Sequence, residues 1–451
     1  LSGAPDGGWR AALPLAAWRG ATTLGAALLP LWLTHRARLG KEDPARLGER
    51  RGAGADRPAG PLLWLHGASV GESQSALPLL EALAELRPDL HFLLTTGTLT
   101  AARLLEDRLP ASLRPRVRHR FVPLDVPAHA ARFLDGWRPD AAVLIESEIW
   151  PNLILAARAR GVPLALVNAR VSAGSARGWG RLPAVARRLF GAFGLVIAQT
   201  EEDAARLRAL GAEGAQSWGN LKFAARPLPA PRAALRALRE AIGGRPVLLA
   251  ASTHPGEEAQ VAAARAQLQE RLPGLLTILA PRHPERGPAL ARELEEAAPG
   301  AVARRAAGDL PGPGTAFYVA DTIGELGLLY RVAGVALIGG SLVPHGGQNP
   351  LEAARLGCPV LLGPHTDNFA TIAARMVEEG AAERVADSGA LAEAAAAVLT
   401  EPDRARSMTS AAARIAADAG ALPERMAAAI EALLPEPAPA WDGIRAATAT
   451  G

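Results

Sequence analysis

The chain has 451 residues, 49% of them hydrophobic, a formal net charge of +4 and one cysteine, Cys358. That length and apolar content allow two or three domains with a sizeable core, and a lone cysteine excludes an intrachain disulfide and a cysteine-cluster metal site. The mild basicity comes almost wholly from arginine, Lys41 and Lys222 being the only lysines; it gives no reason to expect a nucleic-acid partner, and a role for anionic partners depends on where the arginines gather.

The first element in chain order is an apolar run over residues 11–33, "AALPLAAWRGATTLGAALLPLWL", about long enough to span a bilayer but interrupted by Arg19 and two prolines. Arg36, Arg38 and Lys41 follow at once, the wrong flank for a cleaved signal peptide. By the positive-inside rule these charges hold the bulk of the protein on the cytoplasmic side, with Trp9, Trp18 and Trp32 near head-group level. Residues 1–50 are therefore expected to form a membrane-anchor helix and basic flank, spanning or interfacial; the alternative is a helix buried on the first domain.

Beyond Gly60 short apolar runs recur, "LLWLHGA", "HFLLTTG", "FVPLD", "AAVLIE", "PLALVNA" and "LVIAQT", each followed by a stretch of helical period. Continuous rather than alternating apolarity implies strands covered on both faces, hence parallel sheets with crossover helices. After a proline-rich linker, "ARPLPAPRAALR", a second series begins: "PVLLAAST", "LLTILAP", "AFYVAD", "VALIGG" and "PVLLGPH". The expected fold is α/β, two doubly wound Rossmann-like domains over 51–228 and 229–436, with a poorly ordered tail over 437–451.

Open parallel sheets bind ligands beyond the carboxyl ends of their strands, so residues just after each apolar run are the candidates. Glu72 in "WLHGASVGES" stands at such an end, in the first turn of the next helix; domains facing across a cleft would place it there. It is either a reactive carboxylate or a partner of the helix dipole. Glu146 and Glu148 in "IESEIWPN" lie at i and i+2 and point to the same side if extended. They bind a ligand, orient Glu72 or cap the helix after Pro151; no His or Asp is spaced to complete a metal pair.

The stretch "VALIGGSLVPHGGQNPLEAARLGCPVLLGPH" gathers the signals of a phosphate site. Gly340 and Ser341 close a strand, Gly346 and Gly347 admit close backbone approach, and Asn349 and Pro350 read as N-cap and first helical residue. A helix amino terminus suits phosphate, and Glu352 just inside it suits ribose hydroxyls. Neither G-x-G-x-x-G nor G-x-x-x-x-G-K-[ST] occurs after the first strands, so the nucleotide is neither a nicotinamide dinucleotide nor a P-loop ligand. Ser252, Thr253 and His254 of "ASTHPGEE" and Arg282, His283 and Arg286 of "APRHPER" surround the same site. The histidines lack metal-ligand spacing and read as polar contacts or caps, so no metal and no cofactor is expected. Lys222 in "GNLKF" either reaches a ligand carboxylate or is solvated. In "SARGWGRLPAVARRLFGAFG", Arg177, Arg181, Arg187 and Arg188 alternate with Trp179, Leu182, Leu189 and Phe190. That is either an interfacial helix holding lipid phosphates or a basic face over a core stripe.

These motifs, with "VNARVS", "DTIGELGLLY" and "GPHTDNF", resemble the Kdo transferases, which move 3-deoxy-D-manno-oct-2-ulosonic acid from CMP-Kdo to a lipid A precursor. The resemblance runs from "GKEDPARLGER" to "TDNFATIAARMVEEGAA". It implies a GT-B glycosyltransferase, with an amino-terminal acceptor domain and a carboxyl-terminal donor domain, at the cytoplasmic face of the inner membrane. Carried over, Glu72 is the general base of an inverting displacement. Glu146, Glu148, Arg170 and Arg177 bind the acceptor. Ser252, Thr253, Arg282, His283, Gly340, Ser341, Gly346, Gly347, Asn349, Glu352 and Lys222 bind the donor. This sequence departs from the family at Gln348, often histidine, and at Gly67, often alanine. Another GT-B transferase or a nucleotide-sugar epimerase shares the fold and phosphate site but not "ASVGE" and "ESEIWPN"; a membrane-associated sensor would bind ligand without turnover.

Overall fold

The computed structural model describes residues 8–224 and 227–436. The Trp9 side chain, Ala225 and Arg226 of the linker, and the 437–451 tail lie outside the described residues. The chain divides into two compact units, residues 1–225 with 421–451, and residues 226–420.

In the first unit, strands β1 (Leu62–His66), β2 (His91–Thr96), β3 (Val117–Phe121), β4 (Ala141–Ile145), β5 (Leu164–Ala169), β6 (Leu195–Ala198) and β7 (Gln216–Ser217) form one sheet in the order β3-β2-β1-β4-β5-β6-β7. Each pairing is parallel. Alternate residues of a strand serve opposite faces. Trp64, Leu93, Leu144 and Leu166 pack on one side with Phe133, Trp137 and Phe190. Leu63, Leu65, Phe92, Val143 and Val167 pack on the other with Leu79, Leu80 and Leu83 of the helix Val70–Leu86. Two buried faces are why β1 and β4 read as unbroken apolar runs.

The second unit repeats the plan with β8 (Val247–Thr253), β9 (Leu276–Pro281), β10 (Val302–Arg304), β11 (Phe317–Val319), β12 (Val335–Ile338), β13 (Val360–Leu362) and β14 (Ala382–Arg384), in the order β10-β11-β9-β8-β12-β13-β14. Its pairings are also parallel. The strand order reverses between β1 and β4 and between β8 and β12, and the carboxyl ends of these four strands are where such sheets take ligands.

Three expectations are corrected. The third strand is "VRHRF" and ends where the expected run "FVPLD" begins; β3 is an edge strand whose middle residues are only half-buried, so its signal is not continuous apolarity. The boundary at 436 moves: Leu422, Met426 and Ile430 of the helix Leu422–Glu431 sit in the first unit's core beside Leu79 and Leu83, returning residues from 421 onward to that unit. Residues 1–50 do not stand apart from the first unit. Helices Gly8–Gly25 and Leu29–Arg38 place Ala11, Leu15 and Leu33 in buried positions. The Trp18 indole N–H donates to Asp125 at 3.0 Å, and that carboxylate also receives the Asn152 and Leu153 amides opening the helix Pro151–Ala159. Among the described residues no helix is long and apolar enough to cross a membrane. Leu13, Leu24, Leu28, Leu31 and Trp32 nevertheless remain exposed.

The segment after these helices covers β3 through charged groups. Arg46 Nη2, which can only donate, meets His119 Nδ1 at 3.0 Å, and Thr96 Oγ1 meets Nε2 at 3.0 Å. Nδ1 must therefore accept, the proton sits on Nε2, and the ring is neutral. Burial, then the charges of Arg46, Arg120 and Arg50, hold its pKa down to about 3. An unfolded histidine protonates near about 6.5, so the unfolded chain binds the extra proton between those values; stability is full above pH 6.5 and falls through that window as pH drops. Urea unfolding of wild type and His119→Gln at pH 6.5 and 5.5 should show a loss of about 1 kcal/mol in wild type that the variant lacks. Equal pH slopes would mean that His119 takes its proton in the folded state.

Candidate active site

After β1 the chain turns through Gly67 and Ala68 into the helix Val70–Leu86, capped by Ser69. Ser69 Oγ accepts the Glu72 amide at 3.3 Å, while Glu72 Oε2 accepts the Ala68 amide at 2.6 Å and Oε1 accepts the Ser69 hydroxyl at 2.8 Å. This capping box satisfies amides that would otherwise be orphaned at the helix start. It also holds the carboxylate in one orientation at the carboxyl end of β1. Burial pushes the Glu72 pKa up, the Ser69 hydrogen bond pulls it down, and the charge of Glu148 pushes it up again, leaving it above the usual carboxylate range.

Beyond β4 the expected same-side pairing of Glu146 and Glu148 does not form, because Glu146 adopts φ 63°, a left-handed turn rather than extended backbone. Each carboxylate has its own partners. Glu146 pairs with Lys222 at 2.8 Å, so Lys222, which lies in the first unit, is ion-paired rather than simply solvated. Asn168, also left-handed at φ 51°, accepts the Leu221 amide at 2.9 Å and so fixes the turn that carries Lys222. Two non-glycine residues in this region concentrate strain at the strand ends, where function gathers it. Glu148 Oε2 accepts the Trp150 indole N–H at 2.6 Å and lies 3.3 Å from His66 Nε2. His66 Nδ1 meets Thr95 Oγ1 at 2.9 Å, which accepts the Trp64 indole N–H at 2.8 Å. Burial raises the Glu148 pKa, but the hydrogen bonds from His66 and Trp150 and the charge of His66 outweigh it and leave an anion.

Arg170 is exposed just past β5, and its carbonyl accepts the Ser147 hydroxyl at 2.5 Å, joining the loops after β4 and β5. Arg177 is exposed on the helix Ala173–Gly180. In the next helix, Pro183–Phe190, Leu189 and Phe190 are core residues while Arg187 and Arg188 face solvent. The basic-face reading holds there, with Leu182 as its exposed apolar residue.

In the second unit Ser252, next to last in β8, sits at φ 60°. Thr253 is buried and donates to Glu258 at 2.8 Å, which also receives Arg286 at 2.8 Å. The Gly340 and Ser341 amides donate to the fully buried carboxylate of Glu257 at 2.6 and 3.0 Å, and the Ser341 hydroxyl donates to the Ile338 carbonyl while accepting the Gly363 amide at 2.8 Å. The glycines have local reasons. Gly346 and Gly347 sit at φ 88° and 74°, and a Cβ on Gly346 would lie 2.6 Å from Asn368 Nδ2. The expected helix is a single turn, Leu351–Ala354, with Pro350 rather than Asn349 at the N-cap position. Asn349 still accepts the Leu351 amide at 3.1 Å, but four residues sum to little dipole. Burial raises the Glu352 pKa against the pull of Arg355 and Arg282.

Arg282 and His283 are exposed. The His254 ring lies 3.7 Å from His345 and 6.3 Å from His283 between centroids, and Gln348 Nε2 lies 3.2 Å from its Nε2. Burial, then the positive charges of His345, His283 and Arg282, push the His254 pKa down. Among the described residues no group of three or more His, Cys, Asp or Glu is arranged to hold a metal ion. His66 and Glu257 were not singled out in the sequence, although both lie inside the quoted motifs. A glutamate in a first turn reads locally as a dipole partner, and its contact 83 residues away leaves no local trace.

The family model described as 3-Deoxy-D-manno-octulosonic-acid transferase (kdotransferase) matches residues 45–225. The 3-deoxy-D-manno-octulosonic acid transferase of Bordetella pertussis is 41% identical over 407 residues, covering 87% of this chain and 94% of that one. The Haemophilus influenzae enzyme of the same name is 35% identical over 364 residues, 79% and 84% of the two chains. The UDP-GlcNAc 2-epimerase of Neisseria meningitidis shares the fold, with a TM-score of 0.52 at 13% identity over 83% of this chain and 99% of that one. Two parallel doubly wound sheets of this kind make the fold GT-B-like, and the identity to the two transferases over most of its length shows that the chain belongs to the family of 3-deoxy-D-manno-octulosonic acid transferases.

Proposed function

We propose that the chain transfers Kdo from CMP-Kdo to a lipid A precursor, lipid IVA, by an inverting displacement that needs no metal, with Glu72 as general base. The observation that carries this reading is the Glu72 carboxylate, held by its cap at the carboxyl end of β1 and made more basic by burial. A sugar hydroxyl is a poor nucleophile; as its oxygen bonds to the anomeric carbon its proton passes to Glu72, and the anomeric C–O bond breaks with its electron pair leaving on the CMP phosphate. The charge developing there suits the Arg282 guanidinium, with the rings of His283, His254 and His345 and the loop containing Gly346, Gly347 and Asn349 beside it. Ser252, Thr253, Gly340, Ser341 and Glu352 belong to the same donor set. In the first unit Glu146 and Glu148 offer partners for glucosamine hydroxyls, exposed Arg170 and Arg177 for the acceptor's phosphates, and Lys222, paired with Glu146, for the donor's carboxylate.

Membrane association at the cytoplasmic face of the inner membrane belongs to the same proposal. Exposed Leu24, Leu28, Leu31 and Trp32 precede Arg36 and Arg38, the composition of a segment that lies in an anionic interface. Serine at Leu24, Leu28 and Leu31 together should weaken co-sedimentation with anionic vesicles by at least about tenfold. Undiminished sedimentation would remove the segment from membrane binding. The function itself is tested by CMP release and lipid mass gain with CMP-Kdo and a tetra-acylated precursor. Mass gain by whole Kdo units supports it; ligand binding without turnover would favour a sensor.

A further inference from the structure

We propose that Glu257 is a positioning residue for the donor: its buried carboxylate sets the loop after β8 against the glycine loop after β12 and thereby shapes the surface that receives the nucleotide phosphate. The inference rests on the reading of the second unit as the donor unit.

Glu257 opens the helix Glu257–Leu268 and has no exposed surface. Its Oε2 accepts the His254 amide at 2.9 Å and the Gly340 amide at 2.6 Å; its Oε1 accepts the Ser341 amide at 3.0 Å and the Leu342 amide at 2.9 Å. Four backbone donors converging on two oxygens form an anion nest. A glycine loop of this kind reads in sequence as a phosphate cradle, yet these amides are already satisfied by the protein's own carboxylate. The donor's phosphate therefore lies elsewhere, and the loop's contribution to it is made through shape.

The bonds beyond the nest show how far that shape extends. The Gly347 amide donates to the Gly340 carbonyl at 2.8 Å and the Gln348 amide to the Gly339 carbonyl at 3.1 Å, so residues 346–349 take their place from the loop Glu257 holds. The His365 amide donates to the Ser341 carbonyl at 3.0 Å, and Gly339 packs so closely on the Ser252 carbonyl that a Cβ would overlap it. On the other side Glu257 fixes the backbone of His254, whose ring stacks beside His345 and near His283. One carboxylate thus sets the distance between the histidine cluster and the Gly346 to Asn349 segment. A negative charge beneath an anionic ligand opposes binding unless its geometric service outweighs the repulsion.

The test compares wild type with Glu257→Gln, which keeps the shape of the side chain but turns one acceptor atom into a donor facing two amides. Calorimetric titration with CMP and steady-state kinetics are read together, with near-UV circular dichroism recording the fold. The expected result is a CMP Kd and a donor KM each raised about 10- to 100-fold, with the acceptor KM unchanged. A folded variant with unchanged CMP affinity would make Glu257 a structural brace only and overturn the proposal alone. Wild type that binds no CMP would overturn the donor reading and this proposal together. If Glu257→Gln does not fold, Glu257→Asp, which keeps the charge but is too short to bridge both loops, decides by the same split between donor and acceptor KM.

Discussion

Glu72→Gln is expected to lower kcat by about 10²- to 10⁴-fold, the range over which a positioned general base contributes. The substitution is close to silent for the fold. The glutamine carbonyl can still accept the Ala68 amide, now at 2.6 Å, and the Ser69 hydroxyl still accepts the amide of residue 72, so the loss is one contact of the capping box, worth about 1 kcal/mol or less. Substrate KM values should change little, because the lost interaction operates on the proton in flight. The pH dependence adds a second signature. A general base at Glu72 works only as the anion, and burial together with the Glu148 charge places the Glu72 pKa above the usual carboxylate range, so on the proposed mechanism kcat/KM should rise with pH through an acid limb displaced upward from the ordinary glutamate value of about 4.3. Glu148→Gln removes one cause of that displacement and should move the limb down. A Glu72→Gln protein with wild-type turnover would reduce Glu72 to its capping role.

Arg50→Ala should cost about 3–5 kcal/mol of stability, the price of leaving one charge of a buried pair alone. Arg50 and Glu42 are 3% and 4% exposed. Arg50 Nε donates to Glu42 at 2.9 Å, and its Nη2 donates to the Gly97 carbonyl at 2.6 Å beyond the end of β2. Its guanidinium also stacks over Phe121 at 4.8 Å. Removing it strands Glu42 with Arg36 alone, half-exposed at 3.0 Å, and unties the segment from the edge of the first sheet. Urea unfolding followed by tryptophan fluorescence measures the loss. The double variant Arg50→Ala, Glu42→Gln should cost less than the sum of the singles, since the stranded charge is gone. A loss below about 1 kcal/mol would mean that water reaches Glu42 once the arginine is removed.

The sequence was most readable where burial acts on both faces of an element. The apolar runs that became β1, β4, β5, β8 and β12 lie in sheet interiors, and their continuity is the direct imprint of two helical layers. The short strands β7, β10 and β14 all lie at sheet edges, where one neighbour and partial exposure leave two or three residues without a pattern. The candidate-site loops follow the same logic. Glu72 is visible because its cap and its strand end are neighbours in sequence. The partnership of Glu146 with Lys222 and of Glu257 with Gly340 joins residues far apart in the chain, and the first depends on a left-handed turn at Glu146 that no residue-type rule assigns to a glutamate. The amino-terminal helices read as an anchor because hydropathy reports apolar content and not its destination; Ala11 and Leu15 spend theirs on the core, Leu24 and Leu28 do not.

The return of the helix Leu422–Glu431 to the first unit bears on how the protein is made. Leu422, Met426 and Ile430 complete the core that Leu79, Leu80 and Leu83 begin, yet the ribosome must deliver the whole intervening unit, residues 226–420, before supplying them. At about 5–20 residues per second the nascent first unit waits roughly 10–40 s with one greasy flank uncovered. Only the second unit is a contiguous cassette: a chain cut at 420 keeps it whole and leaves the first one unfinished.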